Sequence, residues 1–355
     1  MTSVLSTTDV GTMSFALYNM RQAQQAVDTL TAEAASGFIS SNYAGLGTSA
    51  GAALNLTSQL AVNANLQINT QTASTVQQVT QTALGQIQTL LSGVSAQLLD
   101  ITNTSPSALT VVSAAANSAL SQIAGLLNTK VDGTYIFAGQ DSSNPPVPDA
   151  STLSSSAFVA AIQTAVAGLS ANGAAAVQAS LLTAAAPGAT SPFSATLEAS
   201  NAPNSVDLGD GTSVQVGVLA DQNSNAISAG TGTTSTGSYI RDIFLGLSAL
   251  GALSGDNPGD PQVQSLLTGL HTTLSNADDA LNTDIGALGV RQDTVDSAQS
   301  ELKNVSVALT TSLGNAQDAD ETAVATELST AQTQLQASYS IVSALHTLTL
   351  VTYLA

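Results

Sequence analysis

Between residues 50 and 101 the side chains that suit a buried seam recur in alternating steps of four and three. Val62, Leu66, Asn69, Ala73, Val76, Thr80, Ala83, Ile87, Leu90 and Val94 keep this spacing, and it continues through Gln97 to Ile101. A period of 3.5 residues predicts a long helix supercoiled left-handedly with a partner. The polar members Asn69, Thr80 and Gln97 weaken the seam locally or fix its register. A break follows at Thr102-Asn103-Thr104-Ser105-Pro106, because proline lacks an amide donor and disfavours helix in the residue before it. A second helix is predicted from Ser107 to about Asn128, ending at the turn Asp132-Gly133.

Beyond that turn the texture changes. Tyr135-Ile136-Phe137 is a short β-prone run, and Asn144-Pro145-Pro146-Val147-Pro148 fits neither a helix nor a central strand. Ala, Ser, Gly and Thr dominate up to Gly237, with a helix expected around residues 157–169. Val206 and Leu208 on one side of Gly209-Asp210-Gly211, with Val214, Val216 and Val218 on the other, read as a β-hairpin.

Helical spacing returns at residues 239–253, and after a turn at 256–261 the seam reappears. It runs through Val263, Leu267, Leu270, Leu274, Ala277, Leu281, Asp284, Leu288, Arg291, Val295, Ala298, Leu302, Val305 and Leu309. Only Asp284 and Arg291 are charged there; Arg291 either snorkels or pairs with Asp284, one heptad away, or with a polar group on a facing helix. A last stripe, Val324, Leu328, Ala331, Leu335, Val342 and Leu345, follows the acidic helix start Asp318-Ala319-Asp320-Glu321.

The fold class expected is mainly α. Long N- and C-terminal helices pair as an antiparallel coiled-coil bundle around a β-rich (α+β) central insert that projects from it. The segments are an N-terminal assembly helix at 1–40, coiled-coil helices at 41–133 and the variable insert at 134–238. Coiled-coil helices at 239–317 and a C-terminal assembly helix at 318–355 complete the chain. Seam residues at the extreme ends, lacking an evident partner in the chain, are expected to find neighbours in an assembly.

Composition narrows the function. Charged residues are only 8% against 43% hydrophobic, and 5 Lys+Arg face 24 Asp+Glu for a formal charge of -19. Such a chain has little with which to neutralise phosphates, so neither nucleic acid nor a membrane is an expected partner. Cysteine is absent and the two histidines, His271 and His346, lie far apart, so neither redox chemistry nor a zinc site is expected. Residues 341–354 are too short and too polar to span a bilayer, and the N-terminus has no basic region followed by an apolar run, so no cleaved signal peptide is expected.

The glycines at 45, 47 and 51 lack a preceding strand and the spacing of a dinucleotide loop. The acidic residues between Asp207 and Asp221 lack the ligand succession of a calcium loop. No nucleophile, base and orienting group stand out together, so the chain is expected to be neither an enzyme nor a cofactor protein.

The segment 318–355 closely resembles the terminal helix of bacterial flagellins and of the flagellar hook-filament junction proteins, also called hook-associated protein 3. Ile285-Gly286-Ala287-Leu288-Gly289-Val290-Arg291-Gln292 is similar to that family's Gly-x-Arg stretch, and Gly37 with its following turn is similar to the N-terminal Ser-Gly motif. Gly133-Thr134-Tyr135-Ile136-Phe137-Ala138-Gly139, followed by Pro145-Pro146, resembles the exit from the junction proteins' N-terminal helices. The resemblance covers roughly 15–140 and 240–355. Three places depart from the pattern: Phe38 after Gly37, the turn at 42–47, and the missing acidic residue before Tyr353.

The resemblance implies a structural subunit of an extracellular flagellum, exported without a cleaved signal peptide; the Gly133–Gly139 segment favours the hook-filament junction adapter, with filament flagellin as the alternative. A secreted coiled-coil adhesin is the remote alternative. Implied partners are copies of itself, other hook-associated proteins, flagellin and an export chaperone. The resemblance also implies subunit contacts along the terminal helix, through Leu335, Tyr339, Val342, Leu345, Leu348, Leu350 and Leu354.

Overall fold

The computed structural model describes residues 7–354 apart from 102–105, 200, 201, 210 and 226, with side chains described from 11 to 346 except 106. The fold is mainly α with a small β part. The chain forms two compact units, one of Met1–Ala64 with Lys303–Ala355 and one of Asn65–Leu302, so both boundaries fall inside long helices.

In the first unit, α1 (Thr7–Ser36) packs against α10 (Glu321–Leu354). Met13, Ala16, Met20, Ala23, Val27 and Leu30 of α1 turn at least partly inward, and so do Val324, Leu328, Ala331, Leu335, Val342 and Leu345 of α10. Both stripes step by three and four residues, the spacing of a coiled-coil seam. This corrects the expectation that the terminal stripe lacks an intramolecular partner: α1 supplies one. The pair runs antiparallel, with the Tyr339 hydroxyl donating to Gln24 Oε1 at 3.4 Å and Ala319 N–H donating to the Gly37 carbonyl at 2.8 Å. Gly37 ends α1 at φ 74°, its amide closing back on Glu33 O at 2.8 Å. That left-handed cap explains the glycine of the Ser-Gly motif. Phe38 then bridges Asp318 in antiparallel fashion, and the turn at Tyr43–Ser49 is a 3-10 helix capped by Asn42.

The second unit is organised by parts of α2 (Ala50–Leu99) and α9 (Pro261–Gln317). The Gln67 side chain donates to Leu302 O at 3.1 Å and the Gln88 side chain to Asn282 Oδ1 at 2.5 Å, which sets the two helices antiparallel. Their seam joins Leu84, Ile87, Leu91 and Val94 to Leu270, Leu274, Ala277, Leu281 and Leu288 in one large core. Along α9 every expected seam position within this unit is at least half-buried, Arg291 included. Along α2 the seam needs correction towards both ends: Val62 and Asn69 are exposed in its first half, as is Gln97 near its close. Asn63, Thr70 and Gln77 are buried instead.

The expected break after α2 falls largely outside the described residues. α3 (Pro106–Leu127) opens with proline at its first position, where the missing amide has no helical partner to lose. Residues Ser107–Leu127 are apolar and long enough to cross a membrane by hydropathy. Here they pack against α8 (Tyr239–Ala252), with the Ser113 hydroxyl donating to Leu250 O at 2.6 Å. Every residue of α8 from Tyr239 to Leu250 is buried, as suits a central helix that others surround.

Short strands β1 (Lys130–Val131) and β2 (Thr134–Tyr135) form the first hairpin, with Asp132 and Gly133 both at positive φ in its turn. Beyond it Gly139 sits at φ 57°, where an added Cβ would lie 2.9 Å from Ala202 O and closer still to Leu219. Only glycine fits there, which accounts for the end of the Gly133–Gly139 motif.

The insert holds more helix than its texture suggested. The expected helix is present as α4 (Ala157–Ala167) and α5 (Leu169–Asn172), joined by α6 (Ala174–Ala185) and α7 (Ala195–Ala199). Alanine, the strongest helix former, explains α6, and Gly168 and Gly173 punctuate the run. The second hairpin, β3 (Ser205–Asp207) with β4 (Ser213–Gln215), is the one expected, in the register Val206 to Val214. Leu208, Val214 and Val216 pack on Ala73 and Val295, so this hairpin lies on the helical pair and does not project from it. Buried Gln77 meets it, donating to Gln215 O at 3.4 Å.

Candidate assembly surface

Among the described residues, eleven of the sixteen exposed large hydrophobic side chains belong to the first unit, although it is the smaller one. Phe15 and Tyr18 on α1 are 66% and 58% exposed, and Tyr339 and Ile341 on α10 are 52% and 55%. Among its described residues the same unit has only five buried hydrophobic side chains, Ala23, Leu46, Ala53, Val324 and Ala331, and three of them are alanines. Burial of apolar area is the main term holding a fold together, and here much of that area faces solvent while little is buried.

The residues expected to make subunit contacts divide accordingly. Tyr339 is exposed, whereas Leu335, Val342 and Leu345 are half-buried on the side of α10 that carries the seam. The side chains of Leu348, Leu350 and Leu354 lie outside the described residues. Sequence reasoning missed Ile341, Phe15 and Tyr18; its template followed the seam, and these side chains point away from it.

Asp284 and Arg291 come together through a third residue. Asp284 accepts from Ser224 N–H at 2.8 Å, from Asn225 N–H at 3.0 Å and from Asn225 Nδ2 at 2.9 Å, while Arg291 Nη2 donates to Asn225 Oδ1 at 3.2 Å. These two seam charges therefore anchor the irregular segment 221–238 to α9. Tyr239 lies against the same cluster, where burial, and then the Asp284 charge, push its hydroxyl well above the usual tyrosine range.

A second buried polar cluster sits at the start of α8. Arg241 Nε donates to Asp221 O at 3.1 Å, Nη1 to Ala185 O at 3.2 Å and Ser191 Oγ at 3.3 Å, and Nη2 to Glu198 Oε1 at 2.8 Å and Asp221 Oδ2 at 3.4 Å. The Phe193 ring covers the guanidinium 5.0 Å away. Neighbouring Asp242 accepts from Thr236 N–H at 2.6 Å, Thr236 Oγ1 at 2.8 Å and Ser235 Oγ, and burial raises its pKa against the pull of those donors. Nothing in the local sequence marks this cluster, because the partners of Arg241 lie far upstream.

No group of three metal-ligating side chains occurs among the described residues. Of the acidic positions weighed for calcium, Asp207 accepts its own turn's Gly209 N–H at 2.8 Å, Asp221 pairs with Arg241, and Asp210 lies outside the described residues. His271 is half-buried and His346 exposed.

The described residues thus combine long antiparallel helices with exposed apolar side chains concentrated on the first unit. Residues 272–354 match the bacterial flagellin C-terminal helical region. Over that segment the chain is flagellin-like. In fold it is similar to a putative flagellar hook-associated protein from Vibrio parahaemolyticus, at 12% identity and a TM-score of 0.53, covering 78% of this chain and 99% of that one. No curated protein matches the chain.

Proposed function

We propose that the protein is the hook-filament junction adapter of an extracellular bacterial flagellum, the layer on which the filament is built. The observation that carries this reading is the first unit, whose helices expose aromatic and aliphatic side chains and bury few. Such a unit gains most of its stability from neighbours, so its order and its assembly are one process. Likeness to a hook-associated fold and the Gly133–Gly139 exit motif favour the adapter. Filament flagellin is the second reading, favoured by the C-terminal match itself.

The subunit reaches its site unfolded through the flagellar export channel, and the absence of cysteine suits that route because no disulfide can trap a folded form. Its partners are copies of itself, other hook-associated proteins, flagellin, and a chaperone that holds the terminal helix before export. Subunit contacts run along α10 through Tyr339 and Ile341 and onward through Leu348, Leu350 and Leu354.

Hydrogen exchange tests the coupling of order to assembly. In the isolated subunit, amides before Phe38 and after Ala323 are expected to exchange rapidly while α8 and the core parts of α2 and α9 stay protected; in the assembled state all become protected. Strong protection of both termini in the free monomer would contradict the reading.

A further inference from the structure

The seam between α1 and α10 does little to fix its own register. Its inward residues on α1 are mainly methionine and alanine, which pack acceptably at more than one offset, and on α10 they recur at heptad spacing. A buried polar side chain commonly sets the register of such a seam, and none is buried on either helix among the described residues. The Tyr339 hydroxyl reaches Gln24 only at 3.4 Å, between exposed groups.

A fixed point lies at the other end of the pair. α1 ends at Ser36 and α10 begins at Glu321, and the two connectors there hold each other. Ala319 N–H donates to Gly37 O and Ile39 N–H to Gln317 O, both at 2.8 Å, on either side of the Phe38–Asp318 bridge. The remaining amides are also taken, Phe38 N–H by Ser36 Oγ at 3.3 Å and Asp318 N–H by Gly314 O at 2.7 Å. Asp320 then caps α10, accepting from Thr322 N–H at 2.9 Å and Ala323 N–H at 3.1 Å. The Gly37 and Asp320 caps tie each helix to this bridge, so a slip of one helix along the other breaks it.

We propose that residues 37–39 and 317–319 are a register clasp, which selects the one offset at which α1 and α10 pair and so positions their outward residues. A slip by one heptad carries Tyr339 and Ile341 roughly 10 Å along α1, away from their present spacing to Phe15 and Tyr18. The consequence for assembly rests on the proposed function, whereas register is a property of the single subunit, so the two fail separately.

The test is pulsed electron–electron resonance on the full chain. Nitroxides are attached through Asn19→Cys and Thr326→Cys, both at exposed positions of a chain that has no cysteine of its own. Trimethylamine N-oxide is added to favour the paired ends without neighbours. The otherwise unmodified chain is expected to give one distance. Ala319→Pro and Ile39→Pro each remove one clasp donor, and the residue before each is extended in the bridge, as a following proline requires. Each is expected to add discrete further distances, one for every slipped register. A single unchanged distance in both proline variants would show that the seam sets the register and would overturn the proposal. So would several distances, or none, in the unmodified background. Loss of all discrete distances in both variants would overturn it as well, because the clasp would then hold the pair together without choosing its offset.

Discussion

Replacing Tyr339 and Ile341 together by Asp is expected to abolish assembly while residues 65–302 keep their fold. Both side chains are more than half exposed in the subunit, so an ionised carboxylate at either position remains hydrated there and costs little. On the proposed assembly reading, the same positions lie against neighbours in the assembled state. Each apolar side chain then contributes roughly 1.5–3 kcal/mol by burial, and a carboxylate forfeits that and adds the cost of an unpaired buried charge. Because every copy carries the change, the loss repeats at each contact. Leu335 and Val342 are poorer probes, since they are already half-buried in the subunit and their replacement damages it as well. Thr212→Asp, on the exposed side of the second hairpin, is the matched control. Hooks capped and filaments seeded equally by the double variant and the control would remove this face of α10 from the contact.

Arg241→Met is expected to destabilise residues 65–302 by about 3–5 kcal/mol at neutral pH, the range seen when one partner of a buried ion pair is removed. The guanidinium is 4% exposed and is the only cation bonded to Glu198 and Asp221 among the described residues, so its loss leaves two carboxylates uncompensated. The pH dependence has a definite sign. Arg241 lowers the pKa of Asp221 against the effect of burial, so in the variant that pKa rises further above its unfolded value. An Asp with a raised native pKa destabilises the fold where it must ionise, and the penalty fades as the pH falls through that pKa. The deficit against the unmodified protein is therefore largest at neutral pH and shrinks in acid, as read from urea unfolding. A variant as stable as its parent at neutral pH would show that Arg241 does not hold the start of α8.

How much of this was legible in the sequence depended on what occupied each seam. Along α9 leucine and valine hold ten of the fourteen heptad positions, and the expected stripe matches the burial except at Val305, which is 40% exposed. Along α2 the count chose Val62 and Asn69, whereas Asn63, Thr70 and Gln77 are the buried residues. Polar side chains there are satisfied by partners that a hydropathy pattern cannot show: Thr70 Oγ1 donates to Leu66 O at 2.9 Å, and Gln77 reaches the hairpin. The seam of α1 is built from methionine and alanine interleaved with exposed Phe15 and Tyr18, so its outward aromatics obscured its inward stripe.

The candidate sites were legible in proportion to how local they are. Asp284 and Arg291 stood out as charges on an apolar stripe, but the residue that joins them, Asn225, lies about sixty positions upstream, in a segment without periodicity. The Arg241 cluster draws on partners 20 and 43 residues before it. Pairings of that kind follow from the packing of α6, α7 and α8, which sequence spacing alone does not encode. The insert misled through composition: Ala, Ser and Gly suggested turns and strands, yet its alanines fold as helices against the fully buried α8.

Imaging an epitope-tagged copy of the protein on flagellated cells tests the central claim most directly, with the tag placed at the exposed turn position Thr212. The account predicts label on the flagellum, confined to a short zone where the filament meets the hook. Label along the whole filament would replace the adapter by the flagellin reading, and flagella without label would contradict the assignment to the flagellum itself.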